Sequence, residues 1–308
     1  MSRKAAVACL TGAGTAPELM AEAVLALDAV GRLHGLQIDD THVLFGGIAL
    51  ARGGQPVPAA TRSAILDADA VLVAGAAEPA LGQVMSELDL RAELTCVRFG
   101  HDALAFVTPL EEDATDWAIE TAFQLAESKT LRLTSVGDGP WNDVVDAIAT
   151  RHEHVRVEHL APRVAIPLAA FEATRFDVVA VAPAWAEPMV EIAAAPAATR
   201  VAAHALLSEH GPSLFVPSPD GGFATDGHGV VNPSSMLLAA AMMLEHGLGA
   251  PAPAATLARA VSAALIDGRQ TPDLLRYGVG ATSREFTSRV VAGFHLSLAN
   301  AEFWVGAA

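Results

Sequence analysis

Glu187 and Glu191 stand four residues apart, so on a helix their carboxylates share one face. Such a pair can hold a divalent cation, which takes oxygen ligands. It can equally meet a guanidinium. Asp138 and His159 are further titratable candidates. The plainer readings are an acid at a helix start, just before Pro188 and favoured by the macrodipole, and a histidine satisfied within the structure. Gly221 and Gly222 lie in a stretch rich in Gly and Pro, 217–229, with Asp226 close behind. Their backbone could cradle a phosphate, or they form only a tight loop. Scarcity is as informative: the single tyrosine is Tyr277, and the only lysines are Lys4 and Lys129. Proton transfer therefore has few amine or phenol groups to draw on. Cys9 and Cys96 are far apart without metal-type spacing, which fits structural thiols in a reducing compartment.

The elements that must position these residues alternate between strand and helix. Lys4–Leu10 reads as a buried strand, followed by a Gly turn and a helix from Pro17 to His34. Strands are expected at 43–45, 70–74, 103–107, 130–136, 155–159 and 178–182, and helices at 58–66, 113–128 and 141–151. An Ala-rich helix is expected from Pro188 to His204, interrupted by Pro196. Asn232-Pro233 opens a helix from Ser234 to His246, ended by Gly247. Two more helices follow, at 253–267 and 283–298. The rhythm implies an α/β fold with a largely parallel sheet.

The chain has 308 residues, 52 % of them hydrophobic and 5 % aromatic, so small aliphatic side chains fill the interior. The length fits two domains. Lys and Arg number 19 against 35 Asp and Glu, a net charge of −16, and no basic cluster is visible. Nucleic-acid binding by counterion release is not expected. No apolar run is long and clean enough for a membrane span, nor is the apolar start long enough for a signal peptide. The expected location is the cytoplasm, and the expected partner is a small-molecule substrate.

Several segments resemble the isopropylmalate/isocitrate dehydrogenase family, the decarboxylating β-hydroxyacid dehydrogenases. They are the opening from Leu10 to Glu18, with Gly12, Gly14 and Pro17; Phe45-Gly46-Gly47-Ile48-Ala49; Gly54-Gln55-Pro56-Val57-Pro58; Asp69-Ala70-Val71-Leu72 with Pro79; and Phe176-Asp177-Val178-Val179. The most specific is Gly229-Val230-Val231-Asn232-Pro233 running into 239–246. The resemblance covers nearly the whole chain. It implies a two-domain α/β fold, distinct from the Rossmann fold. Residues 1–95 and 198–308 would form the first, cofactor-side domain, and residues 96–197 a second domain inserted in it with the dimer helices. The family's arm segment is missing. A homodimer through the helix at 188–204 is expected.

The resemblance also implies a chemistry that this sequence does not match residue by residue. Where the family places substrate arginines, this chain has Met85, Thr95 and Thr108, with Arg91 and Arg98 nearby. Trp185 is counted with that expected substrate pocket. The family's Tyr segment is absent between Thr108 and Thr115, and its Lys should follow Ser135-Val136, where Gly137-Asp138-Gly139-Pro140 stands instead. The three metal aspartates align with Arg163, Glu187 and Glu191, so that Arg163 could pair with a glutamate and replace the ion. In the cofactor loop Ala224 takes the ribose-binding position and Asp226 comes two residues late, while Asn232, which would face adenine, is kept. The expected site is accordingly Asp138, Arg163, Glu187, Glu191 and His159 for catalysis, Asn232, Asp226, Gly221 and Gly222 for any nucleotide, and Met85, Thr95, Thr108 and Trp185 for substrate. No cofactor is expected; NAD and a divalent metal are the alternative. The function expected is a redox-neutral step, such as cyclisation, isomerisation or elimination, on a larger and less anionic small molecule. A divergent NAD-dependent 2-hydroxy-acid dehydrogenase and a non-catalytic regulatory or assembly partner are the other two readings.

Overall fold

The computed structural model describes residues 3–75, 78–99, 102–195, 200–218, 229–268, 270–272 and 280–295. In chain order the elements are β1 (Arg3–Leu10), α1 (Ala16–His34), β2 (Leu36–Val43), α2 (Gly46–Ala51), α3 (Ala59–Leu66), β3 (Ala70–Val73), α4 (Leu81–Met85), β4 (Asp89–Phe99), β5 (Asp102–Pro109) and α5 (Thr115–Glu127). There follow β6 (Arg132–Val136), α6 (Gly139–Ala149), β7 (Arg156–Leu160), α7 (Pro162–Phe171), β8 (Val178–Val181), α8 (Pro183–Ala194), β9 (Arg200–His210), β10 (Ser213–Pro217), α9 (Ser234–Met242), α10 (Pro251–Ile266) and α11 (Ser283–Ala292). The contacts divide the chain into a first unit, Met1–Asp89 with His210–Ala308, and a second, Leu90–Glu209.

In the first unit β1 lies between β2 and β3, and β3 pairs with β10, every pair parallel. β3 and β10 are buried along their whole length, as strands covered on both faces must be. Helix α1 buries Leu19, Met20, Ala23, Ala26, Leu27 and Val30, a helical stripe, and stops at Gly35 in the left-handed region. Helix α9 is apolar all round and almost wholly buried, so it belongs to the core.

In the second unit β4 pairs antiparallel with β5, β5 pairs parallel with β8, and β6 lies between β8 and β7 in parallel register. Alternation sends Val97, Leu104, Phe106, Val179 and Val181 into one core with Ala165 and Ala169 of α7 and Met189 and Ala193 of α8. The intervening residues Ala105, Val107, Val178 and Ala180 are buried too, and α5 packs on β5, β6 and β8.

Three sequence expectations change. The helix drawn from Pro188 to His204 is two elements: α8 starts earlier, at Pro183, and ends at Ala194, and Arg200–His210 is strand β9. Alanine carries helix propensity, but sheet pairing overrides it there. Glu187 therefore sits within α8 rather than at its start, and Pro188 lies inside the helix. The strand expected at 43–45 is the end of β2, and Phe45 lies beyond it. The helix from Ser234 loosens into a π-helical turn at Met243–Gly247. By contacts the units divide at 89/90 and 209/210, within one residue of the start of β4 and the end of β9. Among the described residues, no helix is long and apolar enough to cross a membrane.

Candidate functional site

The apolar face that α7 and α8 cover in the second unit turns polar along β4 and β5. The register sets Val97 opposite Leu104, Thr95 opposite Phe106 and Glu93 opposite Thr108. Directly opposed residues project to the same face, so Thr95, Glu93 and Thr108 continue the row that Val97, Leu104 and Phe106 begin. His204 of β9 meets this row. Its Nδ1 lies 2.7 Å from Glu93 Oε1 and 3.0 Å from Thr95 Oγ1, and Thr95 Oγ1 lies 3.3 Å from the same Glu93 oxygen.

Burial alone would push the Glu93 carboxyl up. The hydrogen bond and positive charge of His204, with the Thr95 hydroxyl, outweigh it and hold Glu93 below its ordinary value. Thr95 and Thr108 are both buried, and among the described residues Thr108 Oγ1 has no hydrogen-bond partner. A buried orphan hydroxyl is costly unless something else serves it. Arg91, two residues before Glu93, is tied to Asp113 at 3.1 Å and faces Glu209 at 3.5 Å. The surface thus combines a histidine, a carboxylate and two hydroxyls, a set suited to moving protons and to hydrogen-bonding a ligand. The sequence reading picked Thr95 and Thr108 and missed Glu93. The signal available was the period-two polar series Arg91, Glu93, Thr95 inside an apolar strand.

The residues expected to carry catalysis are not gathered in one cluster. Asp138 caps α6, its carboxylate accepting the Trp141 backbone N–H at 3.4 Å. His159 binds Asp146 at 2.9 Å, tying β7 to α6. Arg163 is exposed in the first turn of α7, and Glu187 and Glu191 are exposed on α8. Among the described residues no ion pair joins Arg163 to either glutamate. Nor do these three belong to any trio of ligating side chains close enough to share an ion. Of these three only the glutamates offer oxygen ligands, and both are exposed on α8.

Of the expected substrate residues, Met85 ends α4 in the first unit, while Thr95, Thr108 and Trp185 belong to the second, where Trp185 is 40 % exposed. Position 137 has its own constraint. The Trp141 ring lies over Gly137, and a Cβ there would come within 2.3 Å of Trp141 Cδ1. No side chain fits at that position unless the indole moves. Both lysines are engaged elsewhere, Lys4 with Asp39 at 2.8 Å and Lys129 with Asp177 at 3.7 Å. Tyr277 lies outside the described residues.

The first unit carries a glycine cradle. The Glu78 carboxylate accepts the backbone N–H of Ala13 at 2.8 Å and of Gly47 at 3.1 Å. Gly12 and Gly46 adopt φ of 76° and 60°, and a Cβ on Gly46 would meet Glu78 Cδ at 2.4 Å. The cradle is filled by the protein's own anion, so as it stands it does not fit a nucleotide phosphate. Asn232 Oδ1 accepts the Ser234 N–H at 2.9 Å, which turns the chain into α9. Gly221, Gly222 and Asp226 lie outside the described residues. Neither cysteine is in a disulfide, and burial, helped by Asp40, pushes the Cys9 thiol up to about 12, which makes it inert.

Residues 6–110 and 100–290 match the sequence pattern of the isocitrate/isopropylmalate dehydrogenase family. The chain is 28 % identical to a 3-isopropylmalate dehydrogenase of Synechococcus, over 88 % of this chain and 94 % of the relative. It is likewise 28 % identical to a 3-isopropylmalate dehydrogenase of Bacillus cereus, over 92 % and 95 %. Its fold is similar to that of a beta-decarboxylating dehydrogenase from Thermococcus kodakarensis, with a TM-score of 0.82 at 20 % identity, covering 97 % of this chain and 99 % of that one. An isocitrate dehydrogenase from Methylococcus capsulatus aligns with a TM-score of 0.78 at 19 % identity, over 94 % and 99 %.

Proposed function

The chain belongs to the isocitrate/isopropylmalate dehydrogenase family, and within it we propose an enzyme whose reaction is redox-neutral: a cyclisation, isomerisation or elimination on a small molecule larger and less anionic than a hydroxy diacid. The observation that carries this reading is the polar face of β4 and β5. There Thr95 and Thr108 offer hydroxyls beside the Glu93 carboxylate and His204, and Arg91 is held by Asp113. A guanidinium pair recognises a carboxylate; an ionised glutamate repels one. Three further features support the reading. Gly137 is closed to any side chain by Trp141, the two lysines are spent in ion pairs, and Arg163, Glu187 and Glu191 lack the arrangement of a metal site. Without hydride transfer, binding, orientation and a placed acid–base group supply the rate.

A second reading, a divergent NAD-dependent 2-hydroxy-acid dehydrogenase, is favoured by the relatives, which are 3-isopropylmalate dehydrogenases at 26–28 % identity. The two readings separate when the pure chain is incubated with the small-molecule fraction of a cell extract and the products are followed by mass spectrometry. The proposed function gives a product of unchanged mass, or one lighter by a water, without added nicotinamide. A product lighter by carbon dioxide and two hydrogens, formed only with NAD, supports the second reading.

The same reading includes a homodimer. The helical part of the stretch expected to mediate it is Pro188–Ala194 of α8, and apolar side chains on α7 and α8 are exposed: Phe171 at 87 %, Val164 at 44 % and Ile192 at 37 %. Exposed apolar surface of this kind marks an association site, and light scattering of the eluted peak measures the resulting mass.

A further inference from the structure

We propose that Glu78 is a specificity residue: its carboxylate keeps anionic groups out of the crevice at the carboxyl ends of β1 and β3, so the ligand of this chain enters that end with an uncharged or cationic group. The proposal deepens the redox-neutral reading above and rests on it for a small-molecule ligand less anionic than a hydroxy diacid.

The topology gives this place its importance. The parallel strands of the first unit run in the order β2-β1-β3-β10. The chain therefore moves from β1 outwards to β2, then returns to the other side of β1 to make β3. Open α/β sheets bind ligands at such a reversal, in the crevice outside the carboxyl ends of the strands. Glu78 follows β3 in a turn, its N–H bound to Gly75 O at 3.1 Å and its C=O to the Leu81 N–H at 2.9 Å. From there its side chain reaches the segments that follow β1 and β2. Oε1 accepts the N–H of Ala13 at 2.8 Å and of Gly47 at 3.1 Å, and Oε2 shares the Gly47 N–H at 3.1 Å. Backbone N–H groups converging in this way form a nest for an anion. In this chain the anion is supplied from within.

The glycines around the nest are matched to that one side chain. A Cβ on Gly75 would stand 2.8 Å from Glu78 Cγ, and one on Gly46 would stand 2.4 Å from Glu78 Cδ. Gly12 packs close to Gly75, where its own Cβ would come within 3.1 Å of the Gly75 Cα. Among the described residues no lysine, arginine or histidine pairs with Glu78, so its charge is not cancelled by a neighbour. A second anion entering the crevice would find the N–H groups taken and a like charge at short range. A hydroxyl or ammonium group meets the opposite situation. A carboxylate has about four lone-pair sites, and this one, on a half-buried residue, has three N–H approaches.

Titration of the full chain with inorganic phosphate at low ionic strength tests the assignment, read from the amide proton and nitrogen-15 shifts of Ala13 and Gly47. In the wild type neither amide should show a saturable shift. Glu78→Ala should bring both into saturable shift, with phosphate held about tenfold or more tightly than the wild-type limit. Glu78→Gln keeps an acceptor oxygen and the side-chain shape but loses the charge, and should fall between the two. Saturable shifts of both amides in the wild type overturn the proposal without any variant. Phosphate affinity unchanged by both substitutions also overturns it, since that is what a side chain that only straps the loops together would give. The wild-type titration and Glu78→Gln keep the test in force if Glu78→Ala does not fold. The readout uses neither nicotinamide nor substrate, so reduction of NAD by the chain would defeat the functional reading while leaving this test standing.

Discussion

His152 and His204 lie in the same unit and each binds glutamate, yet the two clusters are built for different ends. His152 is 8 % exposed, stacked on Phe123 with ring centroids 4.8 Å apart, and binds Glu127 through Nδ1 and Glu120 through Nε2, both at 2.8 Å. A ring with a carboxylate on each nitrogen is held as a cation and clamps the end of α6 to α5. At His204 a carboxylate and a hydroxyl both meet Nδ1, and the ring is less deeply buried, its side chain 21 % exposed. The contrast teaches that burial and a carboxylate on each nitrogen mark a histidine that fastens helices, whereas His204 sits with Glu93 and Thr95 on a more open polar strand face.

Breaking the clamp should have the largest effect. His152→Ala removes two charge-assisted hydrogen bonds and a stack, and leaves Glu120 to Arg151 alone, so urea denaturation should show a loss of about 3 kcal/mol. The clamp should also shape the pH dependence. Burial pushes His152 down, but bonds and charges from Glu127 and Glu120 outweigh it, and its pKa lies above the ordinary 6.5. A raised pKa means that its stabilisation is fully present below 6.5 and fades as pH rises through the folded-state value. Glu120, held below its ordinary 4.5 mainly by its bonds to Arg151 and His152 against the opposing effect of burial, loses its contribution as pH falls through that lowered value. The urea midpoint should therefore decline on the alkaline side in the wild type and lose that decline in His152→Phe.

His204→Ala, by comparison, should lower stability by less than about 1 kcal/mol, since the His204–Glu93 pair is partly exposed. A loss as large as that at His152 would erase the distinction between the two clusters. Smallest of all, Arg163→Ala and Glu187→Gln should each stay within about 0.5 kcal/mol of the wild type, because both side chains are exposed and no ion pair among the described residues holds either one. A coupled loss in the double variant would reinstate the cluster that the sequence invites.

The alternation of strands and helices was readable because the buried strands are short apolar runs: Ala70–Val73 and Val178–Val181 could hardly be anything else. The opening turn, the helix after Asn232-Pro233 and the family resemblance follow from local residue types. Strand β9 was hidden by alanine, whose helix propensity yields only to pairing partners distant in sequence. The Glu93 to His204 contact was hidden for the same reason, since it joins positions 111 residues apart through the adjacency of β4 and β9. Glu187 and Glu191 were conspicuous by spacing, but spacing places two carboxylates on a helix face without saying whether that face meets anything. Thr95 and Thr108 were found only through correspondence with the family's arginines.

The central claim, that this family member works without hydride transfer, is met most directly by one spectrophotometric assay. The purified chain is incubated with NAD, magnesium or manganese, and a panel of isopropylmalate, isocitrate and malate, and the absorbance of reduced nicotinamide is followed. The account predicts no rate above that of buffer with any acid in the panel; sustained, enzyme-dependent reduction with any one of them would contradict it.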